Sequence, residues 1–123
     1  MITIKRAYDP PSPSDGTRVL VDGLWPRGIS KETLKLDMWL KEVAPSATLR
    51  KWFSHDPQRW AEFQRRYTEE LKHNTAGWKP IAEVAREHHV TLVFGSKDEE
   101  HNNAVVLQKF LSTHDKTDRK SVV

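Results

Sequence analysis

Ile2 and Ile4 alternate with Thr3 and Lys5, and this period of two predicts a first strand over Ile2 to Tyr8. Arg18 to Asp22 carries Val19, Leu20 and Val21 in succession, and Val90 to Phe94 reads Val-Thr-Leu-Val-Phe up to Gly95. Short β-branched runs without alternation belong to strands covered on both faces. Between the first two strands, Pro10, Pro11, Pro13 and Gly16 mark a loop. Leu36 to Val43 fits either period: Leu36, Met38 and Leu40 suit a strand, whereas Leu36, Trp39, Leu40 and Val43 suit a helix.

The period changes after Asp56-Pro57, a capping side chain followed by a proline suited to the first helical position. Trp60, Phe63, Tyr67 and Leu71 follow at three- and four-residue steps, with Arg59, Glu62, Arg66 and Glu70 on the opposite side. Ile81, Val84, Ala85 and His88 predict a helix after Pro80, and Ala104, Leu107 and Leu111 a last one from about His101. Strands interspersed with helices predict an α/β domain, a small mainly parallel sheet of about four strands with helices on both faces. Val19–Val21 and Leu92–Phe94 are the expected central strands. Residues 1–112 form the domain, and 113–123 are expected to be a polar tail.

Composition narrows the chemistry. The 123 residues include no cysteine, which removes disulfides, thiolate metal sites and cysteine nucleophiles together. Met1 to Asp9 lacks the apolar stretch of a secretory leader, and no run approaches the roughly 20 residues of a membrane span. The expectation is a cytoplasmic protein without membrane contact. The net charge is +3, but Arg50, Lys51, Arg59, Arg65 and Arg66 are interleaved with Asp56, Glu62, Glu69 and Glu70. That pattern makes a solvated, self-paired face and argues against a nucleic-acid patch.

In a parallel sheet, ligands gather beyond the carboxyl ends of the strands. Two polar segments follow the buried strands. In Asp22-Gly23-Leu24-Trp25-Pro26-Arg27-Gly28, Arg27 could clamp a carboxylate or phosphate and Trp25 could offer a stacking face; the alternative is an aromatic plug with Arg27 bonded to loop carbonyls. In Gly95-Ser96-Lys97-Asp98-Glu99-Glu100-His101-Asn102-Asn103, a hydroxyl, carboxylates, an imidazole and two amides precede a helix whose amino end favours an anion. The three acids also serve as that helix's own acidic first turn. The expected ligand-binding set is therefore Asp22, Trp25, Arg27, Ser96, Asn102 and Asn103, with His101 and Asp98 as acid or base, all around one concavity floored by Asp22. His55, before the capping Asp56, is a third titratable group, read as exposed. No histidine pair has zinc-helix spacing, and no nucleotide or phosphate-loop motif occurs, so neither metal nor cofactor is expected.

Arg18-Val19-Leu20-Val21-Asp22, Leu24-Trp25-Pro26-Arg27-Gly28, Trp39 to Ser46, His55-Asp56-Pro57 and Asp98 to Ala104, in this order, resemble the YeaO-like branch of domain-of-unknown-function family 488. The resemblance covers Met1 to about Ser112. It implies a compact α/β fold and favours a third strand at Leu36 to Lys41. Relatives in the wider family carry Cys-His-Arg where this chain has Asn102, Asn103 and Ala104, so a thiol mechanism does not carry over. Gly23 stands where relatives often have arginine. Two functional readings remain: a domain that binds a small anionic ligand, with or without catalysis, and a non-catalytic domain for nucleic acid or protein. Substrate and oligomeric state are not encoded in any motif.

Overall fold

The computed structural model describes the backbone of residues 1–122 and the side chains of residues 1–114. The expected tail over 113–123 lies almost wholly outside the described side chains. Four strands, β1 (Ile2–Arg6), β2 (Thr17–Leu20), β3 (Met38–Trp39) and β4 (Val90–Phe94), form one sheet in the order β1-β4-β2-β3. All three pairings are parallel, with Ile2 opposite Val90, Val19 opposite Leu92 and Leu20 opposite Trp39. The two unbroken apolar runs are the two inner strands, as a strand covered on both faces requires. The ambiguous segment at Leu36 resolves as the short β3.

The helices are α1 (Lys31–Leu34), α2 (Ala47–Phe53), α3 (Trp60–Lys72), α4 (Thr75–Ala85) and α5 (Asn103–Val122). Their distribution is unequal. Val19, Val21, Val90, Leu92 and Phe94 face the main core, which α2 to α5 complete with Leu49, Phe63, Tyr67, Leu71, Ile81, Leu107 and Leu111. The other face, around Leu20 and Val93, is closed by α1 through Leu34, by Trp39 of β3 and by the loop that carries Trp25 and Ile29.

Two helix starts differ from the sequence pattern. Asp56 caps a 3-10 turn, Pro57–Arg59, through a bond from the Gln58 N–H at 3.0 Å, and that turn feeds directly into α3. Helix α4 begins at Thr75 and carries Pro80 inside it rather than before it. A proline there removes one backbone bond. Burial of Trp78, which donates its indole N–H to the Leu71 carbonyl and packs edge-on to Phe110, holds the first turn in place regardless.

Candidate functional site

Because β2 and β4 are parallel neighbours, the segments leaving their carboxyl ends meet. Asp22, just past β2, accepts the Gly95 N–H at 2.8 Å on one oxygen. Its other oxygen accepts the side-chain amide of Asn103 at 3.1 Å, and the same amide group donates to the Val21 carbonyl at 3.0 Å. One carboxylate thus ties both strand ends to the first turn of α5. Burial pushes the Asp22 carboxyl above its ordinary value; the Gly95 N–H, the Asn103 amide and the charges of Arg50 and His55 pull it back only in part.

Above this floor lies a cleft of about 300 Å³, bounded by Asp22, Gly23, Leu24, Pro45, Arg50, Phe53, His55, Gly95, Ser96 and the two asparagines. Its lining includes an aromatic pair, Phe53 stacked on Phe63 at 4.3 Å. Arg50 reaches in from α2, which Ser46 caps by accepting the Leu49 N–H at 3.2 Å. The absence of a side chain at Gly23 makes room for it: a Cβ there would stand 3.0 Å from Arg50 Nη1. His55 enters from the other end of α2, where Ser54 and His55 are both left-handed, with φ of 47° and 55°. Such backbone costs of order 1 kcal/mol per non-glycine residue, and here it turns the imidazole onto the cleft. Among the described residues, neither the Arg50 guanidinium nor the His55 ring nitrogens have a hydrogen-bond or ion-pair partner.

The structure brings together Asp22, Ser96, Asn102 and Asn103 from the expected set, but not in the expected roles. Asn102 is buried and caps α5, its carbonyl oxygen accepting the Val105 N–H at 3.1 Å while its amide donates to the Asp98 carbonyl at 2.9 Å. The Ser96 hydroxyl accepts the Asp98 N–H at 3.1 Å. Asp98 and His101 are not cleft residues. They pair with each other at 2.9 Å, and this bond, with the Glu100 and His101 N–H groups, holds the Asp98 carboxyl below its ordinary value. His101 also lies edge-on to Trp60 at 5.2 Å.

Arg27 and Trp25 require correction. The loop after Gly23 turns beneath the second face of the sheet, because Trp25 buries its ring there against Trp39, with centroids 5.4 Å apart. Its indole N–H donates to the Ile29 carbonyl at 2.6 Å. The Arg27 side chain is left exposed, away from the cleft, and its carbonyl accepts the Tyr8 hydroxyl at 2.9 Å. The structure places Trp25 as an aromatic plug, and among the described residues the Arg27 side chain bonds to no loop carbonyl. Sequence patterning missed Arg50, which sits among charges that do pair, such as Glu62 with Arg65 and Arg66, each at 2.7 Å. The signal that marks it is the glycine directly after a buried strand, a position with room for a side chain from elsewhere.

A larger groove of about 1030 Å³ runs along α3, α4 and α5. Its outer edge reaches Thr113 and His114, at the limit of the described side chains, and Lys72 and Lys109 on its rim are engaged by Glu69 and Gln64. The smaller cleft is the site that the strand ends and the unpartnered groups share. No group of three or more histidine, cysteine, aspartate or glutamate side chains among the described residues is placed to hold a metal ion, and no helix is long and apolar enough to cross a membrane.

Comparison with known proteins places this geometry. A family model described as the inactive DUF488-N3 subclade matches residues 1–122. The chain is 44% identical over 110 residues to the uncharacterized protein YeaO of Escherichia coli, covering 89% of this chain and 96% of that protein. It is 39% identical over 111 residues to an uncharacterized protein of Mycobacterium tuberculosis, covering 90% and 93%. No solved structure matches.

Proposed function

The chain belongs to the DUF488 family, in the YeaO-like branch and the subclade described as inactive, and from that premise we propose that it is a non-catalytic domain that binds a small molecule in the cleft at the β2 and β4 ends. The observation that carries this reading is the division of labour among the polar groups. Asp22, Ser96, Asn102 and Asn103 hold the loops together, whereas Arg50 and His55 line the cleft with no hydrogen-bond or ion-pair partner among the described residues. A catalytic nucleophile or base is oriented by a third group, and His55 on the cleft has no such hydrogen-bond partner among the described residues. Here the candidate acid and base, Asp98 and His101, are bonded to each other outside the cleft. The chain has no cysteine, and the buried Tyr67 hydroxyl is spent on the Val43 carbonyl at 2.6 Å. A guanidinium with free donors is, by contrast, a ready receptor for a carboxylate or phosphate.

The test is a thermal-shift screen of carboxylates, phosphates, nucleotides and amino acids against the native chain and Arg50→Ala. A ligand at 100 times its dissociation constant adds about 2.7 kcal/mol to stability. Arg50→Ala should leave the free protein within about 0.5 kcal/mol of native, since the side chain is exposed and unpaired, and should erase the shift. A ligand that stabilises the variant as well as the native chain, or turnover of any compound in the screen, contradicts the reading.

A further inference from the structure

Two side chains of opposite charge line the cleft without touching. The Asp22 carboxylate cannot swing toward Arg50, because the Gly95 N–H and the Asn103 amide hold its two oxygens from the strand side. Arg50 lies over Gly23, next along the chain from Asp22, yet the two form no ion pair. Each oxygen of Asp22 has accepted one bond, and a carboxylate offers about four acceptor positions, so two remain for a donor. The guanidinium keeps its fork of donors.

A simple anion would satisfy Arg50 and be repelled by Asp22, and a simple amine would meet the reverse. A molecule with both charges, set one or two bonds apart, would satisfy the pair together. Beside the polar His55, Ser96, Asn102 and Asn103, part of the wall is apolar. Leu24 is 74% exposed at the rim, and Pro45 and Phe53 continue that apolar surface inward. A volume of about 300 Å³ is at the lower bound of ligand cavities, suited to a ligand with one short side chain.

We propose that the cleft binds a zwitterion with an apolar body, the chemistry of an aliphatic α-amino acid, with its carboxylate on Arg50, its ammonium on Asp22 and its side chain against Leu24, Pro45 and Phe53. This deepens the binding role proposed above and rests on it. His55 flanks the carboxylate position as a second donor.

The experiment titrates the full chain, followed by amide chemical shifts, with L-leucine, 4-methylpentanoate, 3-methylbutylamine and inorganic phosphate. The second compound lacks the amine, and the third lacks the carboxylate. Leucine should bind at least about tenfold more tightly than either half, the worth of one charge-assisted hydrogen bond, and move Gly23, His55 and Gly95 together. Arg50→Ala should reduce leucine binding to the level of the amine. Asp22→Asn sets an amide hydrogen against existing donors and can disturb the fold, so the ligand series on the native chain decides alone. If 4-methylpentanoate or phosphate binds as tightly as leucine, the zwitterion is wrong while a ligand site in the cleft stands. If leucine does not bind at all, the inference falls by itself, and the binding role falls with it only if the wider screen is empty too.

Discussion

Gly23 and Gly16 differ in what a single methyl group would meet. At Gly23 an added Cβ comes close to the far end of Arg50, a flexible and exposed side chain, and meets the Ala44 Cβ only at an ordinary 3.7 Å. Gly23→Ala should therefore change the urea midpoint little, by less than about 0.5 kcal/mol, while pushing the guanidinium out of the cleft and weakening ligand binding. At Gly16 the backbone is left-handed, with φ of 66°, and a Cβ would stand 2.3 Å from the His89 carbonyl oxygen, which accepts the Thr17 N–H at the start of β2. Gly16→Ala should cost more than about 2 kcal/mol, read as a lowered midpoint in the same titration. The residue scale is also where the sequence was least legible. Asp22 and Asn103 could be placed together because each follows or precedes a parallel element. Arg27 could not be excluded, since nothing local says that Trp25 would rather bury its ring under the sheet than leave it at the strand end. Arg50 could not be singled out, since its role depends on a glycine 27 positions earlier.

At the scale of elements, patterns with strong periods were readable and boundaries set by tertiary contacts were not. The stripe Phe63, Tyr67 and Leu71 is buried as its spacing requires, and β4 occupies the five residues its apolar run marks. Helix α4 starts before Pro80 because burial of Trp78 outweighs a local rule. At the start of α5 one side chain makes two contacts: the Asn102 oxygen accepts the Val105 N–H, and its amide donates to the Asp98 carbonyl. Asn102→Ala should cost about 1–2 kcal/mol for the cap, with loss of the part-buried bond to the Asp98 carbonyl adding to it. Asn102→Asp keeps the cap acceptor and should recover part of that loss in a thermal melt. Equal loss in both variants would show that the bond to Asp98, not the cap, holds this turn.

The whole molecule adds a feature no local pattern announced. On the second face of the sheet, Asp15 receives Lys5 at 3.1 Å and Arg18 at 2.7 Å, while Arg18 also donates to the Leu34 carbonyl at 2.7 Å. Asp15 and Arg18 are 7% and 4% exposed, so this cluster locks the turn before β2 and the end of α1 against β1 from inside the fold. Burial raises the Asp15 carboxyl, but the Ser12 N–H and the two cations outweigh it and hold the group below its ordinary value. A depressed carboxyl contributes stability that is complete above the unfolded value of about 4 and is lost as pH falls through the folded one. Asp22, raised by burial, acts with the opposite sign: its ionisation costs stability above its folded value, a cost absent below about 4. Asp15→Ala should lower stability by roughly 2–4 kcal/mol at neutral pH by stranding Arg18. It should also flatten the fall in stability below about pH 4, checked by urea titrations across that range.

The fold converges the ends of β2 and β4 on one cleft, and whether that cleft receives a ligand is open to a single measurement. The labelled full chain is screened with a library of small amino acids and carboxylic acids, and amide shifts are mapped at each addition. A ligand site at the strand ends requires hits that move Gly23, His55 and Gly95 together and that weaken at least about tenfold in Arg50→Ala. Hits confined to the groove of α3, α4 and α5, or to the loop around Trp25 and Arg27, would contradict it.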